Sequence, residues 1–399
     1  MFKEYRISQI GEVAGGGTPP SGTAEYWDGD IPWVSPKDLT GYTSVYIARG
    51  ESSITTAGLN KSGTRLLPTN TVLFSSRAPI GYVAIASNPI CTNQGFKSVI
   101  CNETIVNPLY LYYYIKANLD YFKLWGTGAT FPEISGNAMK RIKVRIFKDI
   151  EKQKKTADIL YSYDKLIEVN NQRIKVLEQM AENLYKEWFV RFRFPGHETA
   201  EFENGIPKGW EYCTVGALSS VLQRGISPDY DDEGELTVIS QKCIRQNIMD
   251  INEARKQTKS FKPELNLIDG DTIICSTGTG TLGRVGQVYG DFPDTTFDSH
   301  VTLVRAKAET GKPFLFWTLK ELQPWFMNMG IGSTNQQELY RGTIKNAKAL
   351  KPEGGLISKF ERAVEPIHRS IISLIHSQEN LVRQRDLLLP RLMSGKLEV

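Results

Sequence analysis

Cysteine and histidine are scarce in this chain, five and four in 399 residues. Cys91, Cys101, Cys213, Cys243 and Cys275 are odd in number and never spaced C-x-x-C, which argues against a disulfide framework or a thiolate zinc site and for reduced thiols. No apolar run approaches the roughly eighteen residues that a membrane helix needs, and the opening MFKEYRISQIGEV has no apolar stretch behind a basic start. The expectation is a cytoplasmic chain with no membrane contact. Charge of one sign is also lacking: 48 basic against 44 acidic residues leave +4, which permits a polyanionic partner without demanding one. What is present is ordinary for a globular protein of two or three domains, 40% hydrophobic and 23% charged.

The signatures of chemistry are missing too. No lysine has Asp or Glu two positions before it, the spacing that common carboxylate-metal nucleases use. The G-K-[ST] of a phosphate-binding loop is absent, GKP at Gly311 and GKL at Gly395 being the nearest approaches. Pro19-Pro20 is followed by Ser21, not by the aromatic residue of an amino-methyltransferase motif. His368 and His376 stand eight apart, too far to share a metal on one helix. In ICSTGTGTLGRVGQV, Gly278, Gly280 and Gly283 spell G-x-G-x-x-G, but the following Arg284-Val285-Gly286-Gln287-Val288 suits a strand, not the helix start that would face a pyrophosphate. The triplet reads as a tight turn between strands. The chain therefore reads as non-catalytic, with no cofactor and no metal.

The sequence is written twice. NPLYLYYYI at Asn107 and KPFLFWTLK at Lys312 each place a proline at a helix start before an aromatic run, and GTGAT (126–130) recurs as GIGST (330–334) at an offset of 204. From Ile150 to about Phe192 a 3-4 alternation selects Leu160, Tyr163, Ile167, Asn170, Ile174, Leu177, Ala181, Leu184 and Trp188, a heptad seam. Adding 204 gives Val364, Ile367, Ile371, Leu374, Gln378, Leu381, Arg385, Leu388 and Leu392. Asn170, Gln378 and Arg385 are polar seam residues, which fix register or, for Arg385, mark a solvated irregularity. VLFSSRAPIGYVAIA aligns with IICSTGTGTLGRVGQV, setting Ser75 on Ser276 and Gly81 on Gly283, and the first copy has no glycine triplet. The predicted architecture is α+β: two homologous mixed α/β domains, 1–147 and 211–350, joined by two long antiparallel coiled-coil helices, 148–192 and 351–399, with 193–210 as linker and an internal pseudo-two-fold repeat.

Both heads carry basic and amide side chains in loop-like segments, the types that read base edges. They are Lys37, Arg77, Asn93, Gln94, Lys97 and Thr130 in the first, and Arg224, Lys242, Arg245, Arg284, His300, Asn335 and Gln336 in the second. Each alone is more often a solvated surface group; their recurrence in matching segments raises the DNA reading. Eight basic residues between Lys140 and Lys155 meet only Asp149 and Glu151, which suits a phosphate backbone or a solvated face.

Taken together, SSRAPIGYVAIA with TNQGF, GTGATFPEIS leading into the helix IEKQKKTADILYSYDKLIEVNNQRIKVLEQMAENLYKEWFV, and LLLPRLMSGKLEV make the whole chain resemble the specificity subunit of a type I restriction-modification system. That resemblance implies a non-catalytic protein whose two target-recognition domains each read half of a split, asymmetric double-stranded DNA target, spaced by two antiparallel helices. It further implies two methyltransferase (modification) subunits carrying the S-adenosylmethionine site and two restriction subunits carrying motor and nuclease. It places Arg77 and, by the repeat, Arg284 near DNA, with Asn93 and Gln94, and sets Thr130 and Thr334 at the head-helix junctions. The second head departs from the pattern, having GIGSTNQQELYRG where an aromatic residue usually follows the threonine. Alternatives are the specificity subunit of another multisubunit system (type IIB-like or orphan), a protein-only coiled-coil scaffold, and a single-chain methylating enzyme, the last lacking its cofactor motifs.

Overall fold

The computed structural model describes residues 1–128, 130–245, 247–332 and 337–397. The chain divides into two compact units, residues 1–172 with 376–399, and residues 173–375.

In the first unit a five-stranded sheet has the order Gly11–Gly15, Lys97–Cys101, Val72–Ser76, Ile80–Ala86, Tyr46–Ile47. A three-stranded sheet of Ser52–Ile54, Trp27–Val34 and Cys91–Thr92 lies beside it in sequence, with Trp27–Val34 and Cys91–Thr92 parallel. The strands are rich in β-branched and aromatic residues, and Val72–Ser76 is buried along its whole length, as a central strand must be. The helix Pro108–Ala117 starts as its sequence demands, with Asn107 accepting from the Tyr110 N–H and proline at the first turn. Its aromatic run is buried all round, not on one stripe, and forms the middle of the unit's core with Phe74, Phe122 and Phe147.

The second unit repeats the plan. Its larger sheet runs Ser219–Arg224, Val301–Ala306, Thr272–Cys275, Val285–Gln287, Ile248–Met249, Ile244–Arg245, and its smaller one Arg255–Gln257, Leu236–Ile239, Thr295–Phe297. Here Leu236–Ile239 and Thr295–Phe297 are the parallel pair. The helix Lys312–Glu321 is the second aromatic helix, with its proline one position inside the start. The glycine triplet does form a turn between antiparallel strands: Gly278, Gly280 and Gly283 all have positive φ, and a Cβ on Gly283 would meet the Met327 backbone nitrogen at 2.6 Å. One pairing needs correction. Ser276 corresponds to Ser76, not Ser75, because both accept a backbone bond from the next loop and donate one to it in the same way, as described below.

Two long helices complete the molecule, Ile150–Tyr185 and Gly354–Met393. The first runs on without a break through a wider π-type stretch over Lys186–Val190. The second starts later than the expected 351 because Lys348–Lys351 is a strand paired with Glu211–Thr214. Within the first unit Asn170 Nδ2 meets Ser377 Oγ at 3.5 Å, Gln378 Nε2 donates to Asn171 Oδ1 at 3.1 Å, and Arg385 Nη1 to Asp164 Oδ1 at 2.6 Å. Moving along the first helix from Asp164 to Asn170 and Asn171 moves the partner back from Arg385 to Ser377 and Gln378, so the helices are antiparallel there. The second unit shows the same sense: Ile174 clusters with Ile371, and Trp188 meets Phe360 edge to face with ring centroids 5.7 Å apart.

The second seam is half-buried or buried throughout, from Val364, Ile367, Ile371 and Leu374 to Gln378, Leu381, Arg385, Leu388 and Leu392. The first runs differently from expectation. Leu160, Ile167, Asn170, Ile174, Ala181 and Trp188 are buried, but Tyr163, Leu177 and Leu184 are only half-buried; the buried stripe passes through Asp164, Glu178 and Tyr185 instead. Partners on other segments make this possible. Asp164 accepts from Arg385 and from the Tyr113 hydroxyl at 2.6 Å, and the Tyr185 hydroxyl bonds Thr318 Oγ1 at 3.1 Å.

Glu178 is the costly member, 5% exposed with one carboxyl oxygen lacking a partner. Burial pushes its carboxyl up to about 7, against an Asn247 hydrogen bond and the nearby Lys320 that favour the anion. A folded value above the unfolded one means that the fold holds the proton more tightly. The contribution is therefore full below about pH 4 and is lost as pH rises toward 7. Glu178→Gln is expected to flatten the second unit's stability between pH 5 and 8 and to raise it at pH 8 by up to about 3 kcal/mol. Thermal melts across that range test this, and an unchanged pH dependence would contradict it.

Candidate nucleic-acid interface

In the first unit three loops converge. The turn after Val72–Ser76 carries Arg77, the segment 92–96 carries Asn93 and Gln94, and the loop 127–133 carries Thr130 and the 86% exposed Phe131. Backbone bonds bind them together: Ser76 N donates to Gly95 O at 2.7 Å, Ile134 N to Ser76 O at 3.0 Å, and Thr127 and Glu133 exchange a pair at 3.0 and 2.9 Å. Ser75 Oγ holds the turn by accepting from Gly81 N and Tyr82 N, while Asn93 Oδ1 accepts from Gly95 N at 2.8 Å. Lys97 reaches Gln94 O at 3.2 Å and Glu133 Oε1 at 3.3 Å; Arg77 Nη1 reaches Glu133 Oε2 at 3.2 Å. Gln94 also accepts from the Thr18 hydroxyl. Lys37 stands one residue beyond Pro36, whose ring would lie 3.2 Å from a Cβ on Gly95, and pairs with Glu51 at 2.9 Å. Arg77, Asn93, Gln94 and Lys97 thus share one loop cluster, Thr130 lies on its third loop, and Lys37 follows Pro36 at its edge.

The second unit builds the same frame. Asp298 N donates to Ile239 O at 2.9 Å as Asn93 N does to Val34 O, and Asp298 Oδ1 accepts from His300 N at 2.9 Å as Asn93 Oδ1 does from Gly95 N. Ser276 N donates to His300 O at 2.8 Å, Leu339 N to Ser276 O at 2.8 Å, and Ile331 and Glu338 exchange a pair at 3.0 Å. Lys242 then matches Lys37, each in a single turn begun by a serine, Ser240 and Ser35. Arg284 does not match Arg77. It occupies the place of Tyr82, since Ile274 pairs with Val285 as Phe74 does with Val83, and its guanidinium donates to Ile244 O at 2.8 Å and Gly280 O at 3.2 Å. The place of Arg77 is held by Thr277, which meets His300 Nδ1 at 2.5 Å. Arg224, from the end of Ser219–Arg224, donates to Ser299 O and to Glu338. Arg245 is tied to Glu253 at 3.0 Å and Lys242 O at 3.4 Å. Thr334, Asn335 and Gln336 lie outside the described residues.

Sequence reasoning missed Glu133 and Glu338, because carboxylates were not sought among base-reading types. The signal was available: they stand 205 apart in the repeated segments GTGATFPEIS and GIGSTNQQELYRG. Among the described residues no group of three or more His, Cys, Asp or Glu is placed to hold a metal, and no helix is long and apolar enough to cross a membrane.

Comparison with known proteins follows the same line. Residues 1–179 match the family model of the type I restriction modification DNA specificity domain. The MjaIX type I restriction enzyme specificity subunit of Methanocaldococcus jannaschii is 34% identical over 99% of this chain and 93% of its own length. This chain belongs to the type I restriction-modification specificity subunits. Among other members, the HindI subunit of Haemophilus influenzae is 23% identical over 74% of this chain and 79% of its own, and the EcoR124I/EcoR124II subunit of Escherichia coli 31% over 50% and 51%. The crystal structure of the S subunit from M. genitalium superposes with a TM-score of 0.59 over 98% of this chain and 96% of that one at 15% identity, which bears on the fold of a specificity subunit alone.

Proposed function

We propose that this specificity subunit reads a bipartite, asymmetric double-stranded DNA target, one half-site per head, and presents it to two modification and two restriction subunits without itself catalysing a step. The observation that carries the reading is one loop frame furnished twice with different side chains. Where the first head has Arg77, Asn93, Gln94 and Gly95, the second has Thr277, Asp298, Ser299 and His300, at backbone positions fixed by the same hydrogen bonds. A conserved frame with changed donors and acceptors is what two different half-sites require, because base edges differ in their donor and acceptor pattern while phosphates do not. Arg77 and Arg224 are the fork-shaped donors of the two clusters and the foremost candidates for guanine contacts.

The test uses the chain assembled with its modification subunits and a duplex library. Arg77→Ala is expected to weaken discrimination at one half-site and Arg224→Ala at the other, each by about 1–3 kcal/mol. Uniform weakening on all sequences, with a shallower salt dependence, would make them phosphate contacts and remove the specificity role. The chain alone, given S-adenosylmethionine and duplex DNA, is expected to transfer no methyl group; transfer would overturn the non-catalytic reading.

A further inference from the structure

We propose that Glu133 and Glu338 are positioning residues for specificity: each clamps the guanidinium of its head's reading arginine, Arg77 and Arg224, in the orientation that meets a base edge. This rests on the bipartite reading above.

A carboxylate is an unexpected occupant of a surface meant for a polyanion, since it repels phosphates and raises the cost of binding. Yet each head keeps one, and at the same backbone place. Glu133 exchanges hydrogen bonds with Thr127 and is followed by Ile134, which donates to Ser76; Glu338 does so with Ile331 and is followed by Leu339, which donates to Ser276. The arginines reach these carboxylates from unrelated elements. Arg77 comes from the turn after Val72–Ser76, and Arg224 from the far end of Ser219–Arg224, at the position that Gly15 holds in the first head. The contact is therefore not inherited with a shared arginine; the carboxylate is the constant and the arginine is brought to it along two routes.

The geometry suits a clamp better than a structural pair. Arg77 is 39% and Glu133 35% exposed, Arg224 29% and Glu338 31%. Half-wet pairs of this kind add little to stability. They do restrict the rotamers of a long side chain, so that part of the ordering cost of a bidentate base contact is met before binding. One carboxylate oxygen also remains engaged by Lys97 in the first head, at 3.3 Å, which fixes the carboxylate itself. In the second head the Arg224 guanidinium is held from two sides, by Glu338 and by Ser299 O.

The experiment compares wild type, Glu133→Gln and Glu338→Gln, each as full chain with its modification subunits, by selection from a library with both half-sites randomised and by salt-dependent binding to random duplex. The expected result for Glu133→Gln is a loss of discrimination at one half-site of about tenfold, the size of a lost bidentate contact. The other half-site is unchanged, and affinity for random duplex is higher with a steeper salt slope. Glu338→Gln does the same at the opposite half-site, and adding Glu133→Gln to Arg77→Ala costs nothing more there. A purely structural pair would instead lower the melting temperature and weaken both half-sites alike, which overturns the proposal. So does selective loss of a cytosine preference with the arginine-dependent base intact, since the glutamate would then read a base itself. A wild type with no split motif would sink the bipartite reading and this inference with it, whereas a split motif untouched by both substitutions sinks the inference alone.

Discussion

Arg385→Ala is expected to destabilise the first unit by about 3–5 kcal/mol, the penalty for leaving a buried carboxylate without its counter-ion. Asp164 is 4% and Arg385 17% exposed, their contact is 2.6 Å, and the Tyr113 hydroxyl takes the other oxygen of Asp164. With the guanidinium gone, the Tyr113 hydroxyl remains as a partner of Asp164, but the buried carboxylate has lost the Arg385 pair that faces it in the seam. The double substitution Asp164→Asn with Arg385→Met is expected to recover most of the loss, because it removes both charges and keeps the volume. Chemical denaturation of the full chain, followed by probes in each unit, checks this. A cost below about 1 kcal/mol would place Arg385 among ordinary surface ion pairs.

A heptad added to both helices is expected to lengthen the preferred gap between half-sites by about three base pairs. Seven residues add about 10 Å at 1.5 Å each, and duplex DNA rises about 3.4 Å per base pair. Insertion after Ile174 and after Ser370 leaves the Ile174–Ile371 contact and the seam period intact. Both half-sites should keep their sequence, at reduced affinity, because three base pairs also turn one half-site nearly a third of the way around the duplex. Selection from a library of gap lengths reads the outcome. An unchanged gap would show that partner subunits, not the helices, set the spacing.

The repeat and the element types were legible in the sequence because local chemistry dictates them. Proline before an aromatic run started both short helices, and short, largely apolar runs such as VLFSS and TIIC formed central strands buried along their whole length. The seam was legible where the heptad spacing selects it, the polar Asn170, Gln378 and Arg385 included, but not where the buried stripe leaves that spacing. Asp164, Glu178 and Tyr185 were passed over for Tyr163, Leu177 and Leu184 because a hydrophobic count prefers leucine, while the partner that lets Asp164 be buried lies 221 residues away. The candidate interface shows the same limit. Arg284 was set beside Arg77 by the repeat, but it follows Gly283 as Tyr82 follows Gly81, well past the place of Arg77, and from that position its guanidinium meets backbone carbonyls. Arg224 takes up the equivalent carboxylate from another strand, a substitution that only three-dimensional proximity reveals.

The central claim is that one loop frame, built twice with different side chains, reads two different half-sites. Selection of bound duplexes by the chain with its modification subunits, from a library randomised at every position, tests it most directly. The account predicts two dissimilar short motifs at a fixed separation, one lost with Arg77→Ala and the other with Arg224→Ala. A single contiguous motif, two identical motifs, or no enrichment would contradict it.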